Sequence, residues 1–165
     1  MTTPLHYEDD AIRAILEEVR TIAMVGASTN PMRPSYFVML YLQRKGYTVW
    51  PINPGAAGQT ILGETVHASL DELPAPPDMV DVFRRSSEAA AVVDDAIRLG
   101  IGVIWMQLGV RDDDAAAKAT TAGHRVVMDR CPKIEYGRLF GEIGWLGVNR
   151  GVVSSRRSTA KQLRR

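Results

Sequence analysis

Cysteine is nearly absent: Cys131 stands alone among 165 residues, which rules out an internal disulfide and removes any metal site built on a cysteine cluster. A reducing compartment is the expected home. Histidine is scarce too, at His6, His67 and His124, and none stands at zinc-ligand spacing from another. No apolar run reaches the length of a membrane span. The N-terminus places Glu8, Asp9 and Asp10 ahead of its first apolar stripe, so the basic start and long apolar stretch of a secretory leader are missing. These absences point to a cytoplasmic protein with no membrane partner. An excess of charge of one sign is missing as well: the formal net charge is +1, too small to draw the whole molecule to nucleic acid or to a membrane surface.

What is present is the composition of a globular domain, with 45% hydrophobic and 24% charged residues. We expect one domain over residues 1–149 and a basic tail over 150–165. That tail carries Arg150, Arg156, Arg157, Lys161, Arg164 and Arg165 and no acidic residue. Its serines and few apolar residues suit a solvated, flexible terminus; contact with nucleic acid or an acidic partner is the alternative use. Ahead of it, Ile143, Trp145, Leu146 and Val148 form an apolar group that caps the sheet or joins a homodimer.

Helix and strand signals alternate along the chain. Ile12, Ile15, Leu16 and Val19 give a first helix one apolar face, with Asp9 or Asp10 as its cap. A short apolar run at 22–25, with no polar alternation, suits a strand buried on both faces. A helix at 35–45 follows, with Phe37, Val38, Tyr41 and Leu42 as its buried stripe and Gly46 as its stop. The second strand is 48–52, and the segment from there to Val66 is an irregular excursion with at most a short extended piece. After a helical turn at 69–73 come a strand at 79–83, a helix to Leu99 capped by Ser86 or Ser87, and a strand at 103–107. A helix with an acidic first turn, Asp112 to Asp114, and a fifth strand at 125–128 complete the pattern. The expected fold is therefore α/β, a Rossmann-like, doubly wound, parallel five-stranded sheet with helices on both faces.

In such a sheet ligands bind beyond the carboxyl ends of the strands, where the winding reverses. After the first strand the chain reads Gly26-Ala27-Ser28-Thr29-Asn30, with little side-chain bulk, so backbone N–H groups can approach a ligand closely. Pro34 fits the first position of a helix, whose free N–H groups and dipole attract anions. The stretch reads as a phosphate cradle. It departs from the G-x-G-x-x-G of dinucleotide sites, and the second strand ends in Asn53-Pro54 instead of the acidic residue that holds ribose hydroxyls. Both departures count against NAD(P) or a flavin dinucleotide. Taken from the residues alone, Gly26 can equally end a buried strand, Arg33 be a solvated loop charge, and Arg84 and Arg85 pair with nearby acids. Trp105 is expected in the core, and Cys131 on the rim.

The motifs VGASTNPMRPSY, YTVWPINP, DMVDVFRR, VIWMQLGV and VVMDRCPKIEY, in that order at strand ends, closely resemble the small single-domain CoA-binding protein family. That family is itself similar to the N-terminal CoA-binding domain of the succinyl-CoA synthetase alpha subunit. The resemblance spans roughly residues 10 to 140 and implies coenzyme A or an acyl-CoA as ligand. It implies phosphate contacts from Gly26, Ala27, Ser28, Arg33, Pro34 and Ser35. By the same resemblance Asn53, Pro54, Phe83 and Arg84 bound the nucleotide, and Gln107, Leu108 and Gly109 lie along the pantetheine arm. No histidine has the Gly-His-Ala-Gly setting of the synthetase's phosphorylated histidine, so no catalytic residue is expected in this chain. The alternatives are an NAD(P)-dependent oxidoreductase, a CoA-transfer enzyme completed by a partner subunit, or an interaction protein that uses its basic tail.

Overall fold

The computed structural model describes residues 2–141. The basic tail and the apolar group around Trp145 lie outside the described residues. In chain order the elements are α1 (Asp9–Glu18), β1 (Thr21–Val25), α2 (Pro34–Arg44), β2 (Thr48–Ile52), β3 (Thr60–Ile61), β4 (Glu64–Thr65), β5 (Met79–Val82), α3 (Ser86–Arg98), β6 (Val103–Met106), α4 (Asp113–Thr121), β7 (Arg125–Val127) and α5 (Pro132–Leu139). Five of the strands form one sheet in the order β2-β1-β5-β6-β7, each pair parallel. The sheet is the expected one.

Strand periodicity divides the core in two. Ile22, Met24, Met79 and Trp105 face α1, α2 and α5, where Ile12, Leu16, Val38, Leu42 and Tyr136 meet them. Their neighbours Ala23, Val25, Val80, Val82, Ile104 and Met106 face α3 and α4, which present mainly alanine and valine, among them Ala89, Val93, Ala96, Ala116 and Ala119. A strand covered on both sides has no solvent face, which is why these segments are apolar without alternation. β1 pairs with β2 on one side and β5 on the other, so the chain winds away from β1 in opposite directions. The crevice created by that reversal opens at the carboxyl ends of β1 and β5.

Several local expectations are corrected. Phe37 is not in the buried stripe of α2, which consists of Ser35, Val38, Met39, Tyr41 and Leu42; Phe37 is 49% exposed. At 100° per residue it stands beside the stripe and faces outward. α1 is preceded by Glu8, with no side-chain cap, while Asp9 and Asp10 sit within its first turn. Neither Ser86 nor Ser87 caps α3: Arg85 holds the cap position, and the Ser86 hydroxyl instead accepts from Arg111 N–H at 3.0 Å, tying the β6–α4 loop to α3. The excursion after β2 contains two strands where at most one extended piece was expected. β3 and β4 pair antiparallel across Leu62-Gly63, both with positive φ.

Candidate functional site

Gly26 ends β1 with φ of +92°, and a Cβ there would sit 2.0 Å from the Phe83 carbonyl oxygen. Only glycine allows the loop to pass so close to the end of β5. The Gly26 and Ala27 N–H groups donate to Ile52 O, at 2.8 and 3.3 Å. Ser28 N–H donates to Ser35 Oγ at 3.1 Å, Asn30 N–H to Ser28 Oγ at 3.1 Å, and Met32 N–H to Asn30 Oδ1 at 3.0 Å. The backbone donors expected to cradle a ligand at 26–28 are thus engaged in holding the loop itself. Those that keep no acceptor among the described residues are Thr29 N–H and Ser35 N–H, the latter in the first turn of α2. Beside them stand the Ser28 and Ser35 hydroxyls and the exposed side chain of Arg33, the residue that caps α2 ahead of Pro34.

Asn53 locks the neighbouring strand end to this loop. Its Nδ2 donates to Ala27 O at 2.9 Å and its Oδ1 accepts from Gly55 N–H at 2.9 Å. Pro54 then opens a short 3₁₀ turn. Both polar atoms of the Asn53 side chain are therefore occupied within the protein.

Three adjoining hollows line the carboxyl edge of the sheet. The first, about 340 Å³, is formed by Gly26, Ala27, Ser28, Arg33, Pro34, Ser35, Asn53 and Phe83. The second, about 810 Å³, shares Pro34 and Phe83 with it and continues along Phe37, Val38, Arg84, Arg85, Glu88, Gln107, Leu108, Gly109, Val110, Cys131, Lys133 and Ile134. The third, about 160 Å³, takes in Pro54, Ala68, Ser69 and Leu70 and shares Arg84 and Glu88 with the second. Every site residue named from the sequence lines one of these hollows. The contributions of α2 and α5, Phe37, Val38, Lys133 and Ile134, were missed, because in sequence they read only as helix-face residues. Glu88 on α3 was missed in the same way, while Arg85 and Val110, in the loops after β5 and β6, were left out of the site although their neighbours Arg84 and Gly109 were included.

The charges on this rim are available. Arg33, Arg84 and Arg85 form no ion pair among the described residues, whereas Arg98 is held by Asp71 and Arg111 by Asp113. The floor is less ordinary. Gln107 is buried; its Oε1 accepts from Leu108 N–H at 2.9 Å, and its Nε2 has no partner among the described residues. Asp81, on the same sheet face one strand away, is wholly buried with neither carboxylate oxygen paired among the described residues, and desolvation pushes its pKa well above the usual carboxylate range. Burial likewise raises the Cys131 thiol, and the nearby Asp81 carboxylate adds to the effect. Trp105 is fully buried, as expected, and donates its indole N–H to Arg130 O at 2.7 Å.

None of the histidines joins the hollows. His6 pairs with Glu8 on the surface, His67 runs beside Ile52 at the edge of β2, and His124 Nδ1 donates to Ile101 O at 2.7 Å. Among the described residues no cluster of histidine, cysteine or acidic side chains is suited to a metal. No helix among them is long and apolar enough to cross a membrane.

Comparison with known proteins gives a consistent result. A family model described as a CoA binding domain matches residues 20–137. The protein YneT of Bacillus subtilis (strain 168), itself uncharacterized, is 34% identical over 125 residues, 76% of this chain and 91% of that one. A solved structure from Thermus thermophilus, cell-free ID.343, is 39% identical with a TM-score of 0.77, covering 81% of this chain and 100% of that one. A hypothetical protein from Pyrococcus horikoshii OT3 is 36% identical with a TM-score of 0.78, covering 86% and 99%.

Proposed function

This chain belongs to the CoA-binding domain family, and from that premise we propose that it binds coenzyme A or an acyl-CoA non-covalently across the three hollows, without chemistry of its own. The observation that carries the reading is the junction at Pro34 and Phe83, where an anion-suited hollow opens directly into a long, largely apolar cleft. Coenzyme A has that succession of parts: phosphates first, then a slender arm. The diphosphate meets the α2 N-terminus, the Ser28 and Ser35 hydroxyls and the Arg33 guanidinium, a group suited to bidentate phosphate contact. Asn53, Pro54, Phe83 and Arg84 bound the nucleotide, and Gln107, Leu108 and Gly109 line the arm.

Two features support binding without catalysis. The histidines stand outside the hollows. Cys131 lines the cleft, but burial keeps its thiol protonated, and the thiolate is the nucleophilic form. NAD is disfavoured because β2 ends in Asn53, which is neutral and already bonded on both polar atoms, where a dinucleotide site places a free carboxylate for the ribose. Calorimetric titration of the purified protein with CoA and with NAD under identical conditions tests the reading. Saturable binding of CoA, with NAD at least tenfold weaker, is expected; NAD binding as tight as CoA overturns it.

A further inference from the structure

Large apolar side chains are seldom left exposed in a cluster without a reason. Among the described residues four are exposed, Met32, Phe37, Leu108 and Ile134, and the last three come from separate elements yet line one cleft. Phe37 belongs to α2, Leu108 to the segment after β6, and Ile134 to α5. At about 810 Å³ the cleft has the volume of a site for a whole drug-sized ligand. The phosphate-suited hollow adjoins it at Pro34 and Phe83, so the narrow pantetheine arm, entering from that side, is the part of CoA that runs on into the cleft past Gln107, Leu108 and Gly109.

The floor gives a second, independent sign of an occupant. Gln107 is 5% exposed, and its amide orientation is set by Leu108 N–H, which requires the oxygen; Nε2 is thereby left as a shielded donor without an acceptor among the described residues. A buried donor without a partner is destabilising, and because Nε2 itself is shielded, a small turn of the amide toward the cleft would bring it to a ligand carbonyl that supplies what it lacks.

We propose, resting on the CoA reading above, that the ligand is an acyl-CoA with an apolar acyl chain. A carbonyl of the arm accepts from Gln107 Nε2, and the chain beyond the thioester lies against Phe37, Leu108 and Ile134. The Cys131 thiol is a small neighbour in the same wall and stays uncharged, so the thioester is held intact.

The test is calorimetric titration of the whole protein with CoA, acetyl-CoA, hexanoyl-CoA and succinyl-CoA. Hexanoyl-CoA is expected to bind at least tenfold tighter than CoA, with acetyl-CoA between them, because each buried methylene adds to affinity. Ile134→Ser and, separately, Phe37→Ser are expected to bring the ratio of hexanoyl-CoA to CoA affinity toward one. Both side chains are half exposed, so folding should survive, and circular dichroism verifies it. Equal affinity for CoA and hexanoyl-CoA, a ratio that both variants leave intact, or tighter binding of succinyl-CoA than of hexanoyl-CoA overturns the apolar-acyl assignment while leaving the CoA reading in place. No binding of any of the four overturns both.

Discussion

Arg33 and Gly26 stand at opposite ends of one loop, and they report on different things when changed. Any side chain at Gly26 meets the Phe83 carbonyl, so its replacement damages the turn whether or not a ligand binds there. Arg33 is exposed, caps α2 without a side-chain bond, and makes no ion pair among the described residues, so it contributes little to the fold. Its guanidinium is free to meet a phosphate. Arg33→Ala should therefore leave the melting temperature of the ligand-free protein close to that of the wild type. It should also weaken CoA binding by roughly ten- to a hundredfold, since a hydrogen bond to a charged group contributes about 1.5 to 3 kcal/mol. The salt dependence of affinity should become shallower, because one screened charge pair is gone. Titrations of both proteins at two salt concentrations measure all of this, and an unchanged affinity would return Arg33 to the role of a solvated loop charge.

At the level of elements, the parts legible in the sequence are those whose signal is local. The apolar run 22–25, the abrupt Gly26 and Pro34 at a helix start define β1, its loop and α2 without reference to the rest of the chain. The apolar strands and the glycines after the helices fix the parallel sheet in the same way. Features that depend on tertiary placement were not legible. Phe37 looks like a core position on an amphipathic helix and Ile134 has no assignment from the sequence; only the packing of α2 and α5 against the sheet brings both to the cleft. The β3–β4 hairpin hides because its strands are two residues long and its turn is Leu62-Gly63, where the favoured signal for two successive positive φ values is Asn-Gly. Ser28, named for a phosphate from the sequence, also accepts from the loop's own Asn30 N–H, which leaves its hydroxyl proton for a ligand, and Asn30 Oδ1 is taken by Met32 N–H. Caps are a mixed case: those of α1 and α3 were misread, but the acidic start of α4 is realised in detail, with Asp112 Oδ1 accepting from Ala115 N–H at 3.0 Å. Asp112→Ala removes that cap and should cost about 1 kcal/mol. In a protein of this size that corresponds to a fall in melting temperature of roughly 2–4 °C. Urea unfolding should show a lower midpoint with an unchanged slope, and a midpoint equal to the wild type's would mean that solvent replaces the cap without loss.

For the molecule as a whole, the feature least expected of a stable core is a carboxyl group in the middle of the central strand. Asp81 lies between Met24 of β1 and Trp105 of β6, fully buried, with no hydrogen-bond partner among the described residues. Desolvation disfavours its charged form and raises its pKa well above the value of 3.8 that it has in water. The folded protein therefore holds a proton that the unfolded chain has already released, and the stability linked to this group is complete only below the unfolded-state value. It declines as pH rises through the raised native value. Asp71 and Asp113 carry the opposite sign, being lowered first of all by hydrogen bonds from Arg98 and Arg111, so they favour the fold above the ordinary carboxylate range. Their effects are common to the wild type and to Asp81→Asn, and cancel in the difference. The asparagine has the same shape and does not titrate. Urea unfolding of both proteins over a series from about pH 4 to about pH 9 should show the variant gaining on the wild type as pH rises, with the largest gap at the alkaline end. A difference that stays constant across the series would show that Asp81 does not change its charge there, and that burial alone, without titration, accounts for its effect on stability.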